Sequence, residues 1–323
     1  MQHIFIVNRA AGSGKVTEKV ISDIRDHFER HGGSYKIEFT KYKGDATDIA
    51  LRYAKSGEKV RIYACGGDGT LNETVNGIAG YENVELGVIP CGSGNDFVSS
   101  ICGDDREAYF NIKAQVEGDS AEADLFHIED GPYAINQISM GFDATVANNF
   151  VKFKNKSNVS GKLAYIISAL YSLAGDLTNE MTVEIDGTAL EKDRLVLTTA
   201  ANGRFQGGGM LNVPEADPFN RKISVMMIKN VSRLKFLQLF PLYMKGKHVK
   251  YTDLVSLAGC KNLKITASKP LPVTYDGEIL MTESINISVI EGGVKIILPQ
   301  YAMEKSDKKD ILKRAATVKK SKN

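Results

Sequence analysis

The chain has 323 residues, of which 43% are hydrophobic and 25% are charged, as is typical of a soluble globular protein. Its length is sufficient for two domains, each with a core of its own. The formal net charge of +2 does not by itself predict a nucleic-acid partner.

Apolar runs and cysteines indicate the compartment. The chain begins with a strand pattern and has no basic region followed by an apolar one, so we expect no signal peptide. The longest nearly apolar runs, 164–174 and 236–244, are shorter than the roughly 20 residues of a membrane-spanning helix. The four scattered cysteines have no metal-site or disulfide-framework spacing, which favours a reducing cytoplasm.

Residues 1–125 alternate between strand and helix patterns, which is typical of an α/β domain. Strands are predicted over 3–7, 35–40, 59–65 and 84–89. Helices are predicted over 16–30 and 45–55, after residue 70 and after residue 93. In the third of these helices, apolar Leu71, Val75 and Ile78 have the spacing of one helix face.

Residues 126–299 form a second, β-rich unit in this interpretation. Short apolar runs separated by Gly, Asp and Pro turns predict a mainly antiparallel sandwich. The runs are 123–128, 133–138, 181–185, 195–201, 223–228, 263–267, 285–289 and 294–298. A single helix is predicted over 162–173, and segment 300–323 is expected to rejoin the first domain.

Three predicted strands of the first domain run into loops rich in glycine and polar residues. These loops are 8–15, 66–70 and 92–97. Glycines allow a sharp turn from strand to helix and expose N–H groups, which at a helix N-terminus attract anions. Because parallel strands of a wound sheet end along one edge, we expect the three loops to line one crevice.

Asp68 lies inside the second loop, where a bare phosphate would repel it. A bridging cation removes this conflict, so the loop predicts a site for nucleotide and Mg²⁺. The alternative is a tight glycine turn in which Asp68 caps the helix. Lys15 extends a string similar to a P-loop, but the complete Gly-x-x-x-x-Gly-Lys-Ser/Thr pattern is absent, so we reject a P-loop NTPase.

The spacing of Asn8, Ser13 and Gly14 in the first loop, together with five further motifs, resembles the diacylglycerol kinase catalytic-domain family. This family includes soluble bacterial lipid kinases and relatives that phosphorylate sphingosine and ceramide. The motifs are GGDGT at 66–70, GSGNDF at 92–97, GKLAY at 161–165, GGGM at 207–210 and YDGE at 275–278. NAD kinases share the first motif and phosphofructokinases have a variant of it, whereas the second and last favour a lipid kinase. The resemblance implies an α/β nucleotide-binding domain followed by a β-sandwich that shapes the lipid site.

The resemblance also implies roles for individual residues. Asp276 corresponds to the general base that takes the proton of the lipid hydroxyl, and Lys162 to an active-site cation. Asp68 and Asp96 are expected to hold Mg²⁺ together with ATP. The other expected ATP-binding positions are Asn8, Ser13, Gly14, Gly66, Gly67, Gly69, Thr70, Gly92, Ser93, Gly94, Asn95 and Glu278. Without the resemblance, Asp276 fits an ordinary Asp-Gly turn and Lys162 an exposed lysine at a helix end.

One stretch departs from the family pattern. Where the family has an acidic segment that holds a structural magnesium, this chain has Asp217–Ser224, with Asn220 and Ser224 at two acidic positions. Arg221 brings a positive charge to the place of the metal, and a hard dication requires anionic oxygen ligands. We therefore expect this metal site to be absent or weakened, with Arg221 or Lys222 as the replacing charge.

Segment 233–249 mixes apolar and basic residues. Such a basic amphipathic element can lie on an anionic bilayer surface, and a lipid kinase must reach its substrate there. The alternative is a pair of helices packed in the core and broken at Pro241.

The sequence thus predicts a cytoplasmic lipid kinase, dependent on ATP and Mg²⁺, at the inner face of the membrane. Diacylglycerol, converted to phosphatidic acid, is the expected substrate; phosphatidylglycerol and a sphingoid base are alternatives. A soluble enzyme of the NAD kinase type and a catalytically silent lipid- or nucleotide-binding regulator are the rival hypotheses. Because β-rich domains with exposed edges often pair, a homodimer is a further possible assembly.

Overall fold

We analysed a computed structural model of the chain. It describes residues 1–12, 14–103, 105–156, 161–190 and 192–299, with the backbone alone at 153–156 and 161–166. The expected return of segment 300–323 to the first domain lies outside these residues. No helix in the described part of the chain is long and apolar enough to cross a membrane.

The first half of the chain alternates strands and helices, as predicted. Its elements are β1 (Gln2–Val7), α1 (Lys15–His31), β2 (Ser34–Phe39), α2 (Asp45–Ala54), β3 (Val60–Gly66), α3 (Asp68–Ile78), β4 (Val84–Pro90), α4 (Asp96–Ile101), a 3₁₀ turn (Arg106–Phe110) and α5 (Ile112–Glu117). The four strands are parallel in the order β4-β3-β1-β2. Their carboxyl ends therefore lie along one edge, where all three glycine-rich loops begin.

Alternating side chains of the first strand face two separate cores, because successive residues of a strand point to opposite sides of a sheet. Ile4 and Ile6 pack in the cluster that includes residues of α2 and α3. Phe5 packs on the other side, against Ile24 and Phe28 of α1. With helices on both faces, the sheet is buried, as is usual for a parallel sheet.

The second half is mainly antiparallel, also as predicted. Its strands are β5 (Asp119–Ile128), β6 (Tyr133–Ala134), β7 (Gln137–Gly141), β8 (Asn179–Ile185), β9 (Thr188–Ala189), β10 (Asp193–Ala201), β11 (Ile223–Lys229), β12 (Val255–Cys260), β13 (Asn262–Tyr275) and β14 (Glu278–Leu298). Three helices join them: α6 (Phe142–Lys156), α7 (Gly161–Ala174) and α8 (Arg233–Met244). Strand β8 pairs with both β10 and β13, which encloses an apolar core between the strands.

The long strand β14 joins the two halves. It pairs antiparallel with β13 and β5, and its end pairs in parallel with β4, placing Lys295 beside Glu85. The order β12-β11-β10-β7-β13-β14-β4-β3-β1-β2 is therefore one continuous sheet. The chain thus returns to the sheet of the first half within β14, before residue 300.

Three local predictions were wrong. The strand predicted over 133–138 is split at Ile135 and Asn136, whose N–H groups donate to Asp276 instead of to a neighbouring strand. Helix α6 was not predicted, so α7 is not the single helix of this half. Segment 233–249 is not a core-packed pair broken at Pro241: α8 continues through Pro241, and none of its residues is buried. It ends before Gly246, whose φ of 68° lets the Lys247 N–H reach the Leu242 carbonyl.

Candidate active site

The first loop is joined to the second by a side chain at its start. Asn8 Nδ2 donates a hydrogen bond to Thr70 Oγ1 at 3.1 Å, and Asn8 Oδ1 accepts one from the N–H of Ala10 at 3.0 Å. Gly14, with φ 75°, is the N-cap residue of α1. Ser13 lies outside the described residues. Two predicted ligands, Asn8 and Thr70, thus come together although they are far apart in sequence.

The second and third loops cross at their glycines. A Cβ at Gly66 would lie 2.2 Å from Thr70 Oγ1, and a Cβ at Gly92 would lie 2.3 Å from the Cα of Gly67. Both separations are shorter than any tolerable contact, so a larger residue at Gly66 would distort the second loop and one at Gly92 would force the second and third loops apart. By contrast, a Cβ at Gly69 would meet nothing within 4 Å, so this turn of α3 is open to a ligand.

Asp68 caps a helix, but not the helix in which it lies. Its carboxylate accepts hydrogen bonds from the N–H groups of Asn95 (2.7 Å) and Asp96 (2.8 Å), at the start of α4. Asn95 has φ 56°, and its side chain bonds both the N–H and the carbonyl of Gly92. Asp68 therefore holds the third loop in position while lining the cavity described below.

Asp96 connects the third glycine-rich loop to the second half of the chain. Its buried carboxylate accepts hydrogen bonds from the N–H groups of Gly208 (2.9 Å) and Gly209 (2.8 Å). Both glycines have φ between 80° and 110°, conformations that other residues rarely adopt. Burial raises the pKa of Asp96, and the charge of Asp68 raises it further, while the two N–H bonds lower it.

Asp276 lies in the turn between β13 and β14 with φ 47°. Its carboxylate accepts hydrogen bonds from Asn72 Nδ2 (3.0 Å) and from the backbone N–H groups of Ile135 (2.7 Å), Asn136 (2.9 Å) and Gln137 (2.9 Å). Burial is the larger effect and raises the pKa of Asp276, while these donors lower it. The carboxylate is thus held rigidly and has a greater affinity for a proton than an exposed one.

A cavity of about 700 Å³ connects these groups to an apolar interior. One end is lined by Ser93, Gly94 and four acidic residues: Asp68, Asp96, Asp143 and Asp276. The rest is lined mainly by apolar side chains of α6, α7 and α8 and the neighbouring strands, including Phe142, Val146, Leu170, Leu173, Phe236, Leu237 and Phe240. Such a cavity can hold a molecule with one polar end and a long apolar part.

Comparisons with known proteins agree with this geometry. Residues 2–128 match the model of the diacylglycerol kinase catalytic domain, and residues 136–298 match that of the YegS C-terminal NAD kinase beta sandwich-like domain. The chain belongs to the diacylglycerol kinase catalytic-domain family.

Curated relatives of the chain include diacylglycerol kinases. That of Bacillus subtilis (strain 168) is 27% identical over 313 residues, which cover 95% of this chain and 100% of the relative. That of Mycobacterium tuberculosis (strain CDC 1551 / Oshkosh) is 28% identical over 84% of this chain and 87% of the relative. Family membership and these relatives support lipid kinase activity.

Solved structures of similar fold include a diacylglycerol kinase from Bacillus anthracis str. Sterne. It has a TM-score of 0.70 and 21% identity, and the match covers 93% of this chain and 98% of that one. An NAD kinase from Archaeoglobus fulgidus in complex with ATP matches with a TM-score of 0.54 and 11% identity, covering 98% and 99% of the two chains. These likenesses confirm the predicted fold class.

Two predicted site residues have roles that the described structure leaves as predictions: Glu278 and Lys162. Glu278 lies two residues after Asp276, at the start of β14. Its partly exposed carboxylate accepts a hydrogen bond from Lys43 Nζ at 2.6 Å. Lys162 lies in the first turn of α7, and its side chain is outside the described part of the chain. The roles assigned to these two residues by family resemblance stay predictions.

The site has the donor chemistry that Mg²⁺ requires, provided that the substrate supplies part of it. Asp68 and Asp96 offer hard carboxylate oxygens, and each uses two N–H bonds out of about four acceptor positions. Within the described residues no group of three or more His, Cys, Asp or Glu side chains could hold a metal by itself. Magnesium in such sites is usually shared between one or two carboxylates and substrate phosphates.

Sequence reasoning missed Asn72 and Asp143. Asn72 lies four residues after Asp68 on α3, so the helical period could have placed it on the same side. Asp143 lines the cavity near the start of α6, where Gln206 Nε2 lies 3.5 Å from its carboxylate. No sequence signal for Asp143 existed because α6 itself was not predicted.

Segment Asp217–Ser224, which differs from the family pattern, places Arg221 in a buried position beside acidic residues. Its guanidinium donates to Asp124 Oδ1 at 2.9 Å and to Glu122 Oε2 at 3.1 Å, and its N–H donates to Asp124 Oδ2 at 2.6 Å. Asp124 is 0% exposed, and burial raises its pKa while Arg221 lowers it. A fixed cation therefore compensates the Asp124 carboxylate in this chain. Whether the segment also binds magnesium stays a prediction.

Proposed function

We propose that the protein transfers the γ-phosphoryl group of ATP to the free hydroxyl of diacylglycerol, producing phosphatidic acid and ADP. The observation that supports this is the continuity of one cavity from the glycine-rich loops and Asp276 to a long apolar interior. The names of the relatives from Bacillus subtilis and Mycobacterium tuberculosis point to the same substrate.

The glycine-rich loops would hold the nucleotide phosphates at the polar end of the cavity. The open turn at Gly69 and the exposed Ser93 offer N–H and hydroxyl donors there. Asp68 and Asp96 would hold Mg²⁺ together with these phosphates, and the bound metal would neutralise charge on the transferred group. Their own hydrogen bonds keep both carboxylates from turning away.

Asp276 would act on the lipid hydroxyl. As the hydroxyl oxygen bonds to the γ-phosphorus, the bond from that phosphorus to the bridging β,γ-oxygen breaks and ADP leaves. The hydroxyl proton passes to the Asp276 carboxylate and then to solvent. Since burial raises the pKa of Asp276, its basicity exceeds that of an exposed carboxylate, which favours this transfer.

The decisive experiment measures transfer of labelled γ-phosphate from ATP into a total lipid extract in mixed micelles. The native chain is compared with Asp276→Asn and with Asp186→Asn. Asp186 is a matched control: it has the same φ of 47° in an Asp-Gly turn, and its carboxylate also accepts backbone N–H bonds, from Lys261 and Asn262. Thermal melts of all three proteins identify any loss due to unfolding.

We expect a labelled lipid that co-migrates with phosphatidic acid, a loss of about 100-fold or more in Asp276→Asn, and near-native rates in Asp186→Asn. A folded Asp276→Asn protein that retains a tenth of the activity would rule out the general-base role. Labelling of NAD without any labelled lipid would replace the proposal with an NAD kinase. ATP binding without labelling of any acceptor would favour the silent regulator.

A further inference from the structure

Helix α8 has the composition of a buried helix but lies on the surface. Eight of its twelve residues are Leu, Phe, Tyr or Met, excluding Pro241, yet none is buried. Leu234 is 68% exposed, Leu237 51% and Met244 43%. An apolar helix of a soluble protein normally hides one face against the core, so exposure of this kind indicates a surface that contacts something apolar.

The chain around α8 is also strongly basic. Between residues 229 and 250 there are six basic residues and no acidic one, whereas the whole chain has a net charge of only +2. The six are Lys229, Arg233, Lys235, Lys245, Lys247 and Lys250. An apolar face bordered by lysine and arginine complements a bilayer with anionic head groups, because apolar side chains reach the acyl region while cations stay at the phosphates.

This surface is continuous with the mouth of the cavity. Leu170 of α7 and Leu237 of α8 are 61% and 51% exposed, and both also line the cavity. Arg233 joins the two helices, because its Nε donates to the carbonyl of Leu173 at the end of α7 at 2.8 Å. The two leucines therefore border an opening on the same side of the molecule as the exposed face of α8.

The inner side of α8 is fixed by aromatic contacts. Phe236 meets Phe142 edge to face with ring centres 4.9 Å apart, and Phe240 stacks on Phe236 and Tyr243 at 5.9 and 6.2 Å. The outer side chains, Leu234 and Met244, are not among the cavity residues. The outer face is therefore available for contact without disturbing the cavity wall.

We propose that the protein docks on anionic bilayers through the outer face of α8 and the adjoining end of α7. In this orientation the opening between Leu170 and Leu237 faces the acyl chains of the membrane. A lipid then reaches Asp276 by sliding along an apolar path and does not cross water. The docking proposal does not depend on the proposed function, whereas delivery of diacylglycerol along this path rests on it.

Flotation with vesicles tests the docking surface. The full chain is mixed with vesicles of phosphatidylcholine alone or with 30% phosphatidylglycerol, and the bound fraction is measured. The apolar test variant is Leu234→Gln/Met244→Gln, and the charge variant is Lys245→Gln/Lys247→Gln. Leu190→Gln and Lys55→Gln/Lys59→Gln are matched controls, since Leu190 is exposed on the β9–β10 connection and both lysines are exposed after α2.

We expect the native chain to bind anionic vesicles about tenfold or more tightly than neutral ones. The apolar and charge variants should each lose about tenfold or more, and the controls should stay within about twofold of native. Equal binding by native and both test variants, or no native flotation on anionic vesicles, would overturn the proposal. A native dimer that Leu234→Gln/Met244→Gln converts to monomer, without flotation, would make this face a contact between two copies instead.

An activity assay separates docking from catalysis. With a short-chain, water-dispersed diacylglycerol and no vesicles, both test variants should phosphorylate at the native rate, whereas on vesicles they should be slower in proportion to lost binding. Intact flotation without phosphorylation of either substrate would support the docking surface and refute the proposed function. Variants that are slow on the dispersed substrate as well would contradict a role confined to docking.

Discussion

Asn72 donates one of the four hydrogen bonds that lower the pKa of Asp276, so replacing it should move the pH dependence of the reaction. Asn72→Leu removes the only side-chain donor among four hydrogen bonds to the Asp276 carboxylate in the described structure and retains the three backbone donors. A hydrogen bond to a charged group contributes about 1.5–3 kcal/mol, and one pKa unit corresponds to about 1.4 kcal/mol. The pKa of Asp276 should therefore rise by about one to two units.

The sign of the effect follows from the role of the carboxylate. A general base must be ionised, so activity is lost as the pH falls through its pKa, which burial already raises above 3.8. In Asn72→Leu the acid limb of kcat/KM should lie about one to two pH units higher, while the rate on the alkaline side of both pKa values changes little.

The assay is a profile of kcat/KM against pH with the labelled-phosphate reaction. Asn76→Leu is the matched control, because Asn76 lies one helical turn further on and bonds Tyr133 without contacting Asp276. Its acid limb should coincide with that of the native chain. A uniform decrease in kcat/KM for Asn72→Leu, with the acid limb unmoved, would refute Asp276 as the titrating base.

Three further predictions concern the glycine-rich loops and segment Asp217–Ser224. Gly66→Ala should abolish measurable ATP binding and lower the free energy of unfolding by about 1–3 kcal/mol, because its Cβ would overlap Thr70. Calorimetry measures the ATP binding and denaturant unfolding measures the stability. A native-like ATP affinity would contradict this prediction. Arg221→Met should destabilise the fold by about 3–5 kcal/mol by leaving the buried Asp124 carboxylate unpaired, whereas exposed Lys222→Met should have little effect. Without nucleotide, EDTA should leave the native melting temperature unchanged, and a decrease would contradict the replacement of a structural metal by Arg221.

Local patterns were sufficient to predict four strands and four helices of the first half, but not its 3₁₀ turn or α5. The β3–α3 turn requires glycine at position 66, because a Cβ there would overlap Thr70, which lies only four residues later in the sequence. The alternation of strands and helices implied a parallel sheet, and a parallel sheet puts the three loops on one edge. The acidic residues were recognised, and the helix cap that was only the alternative interpretation of Asp68 exists, but on α4 and not on the helix that contains Asp68.

The sequence by itself determined the glycine-rich loops, the two-part architecture and the acidic residues at the candidate site. Only the tertiary structure decided which donors hold those residues: Asp276 bonds residues about 140 positions away, and Arg221 bonds Asp124 across 97 positions. It also decided that α8 lies outside and that α6, α7 and α8 enclose one cavity. The physical reason is that periodicity reports which face of an element is apolar, whereas burial of that face depends on partners brought together by the whole sheet.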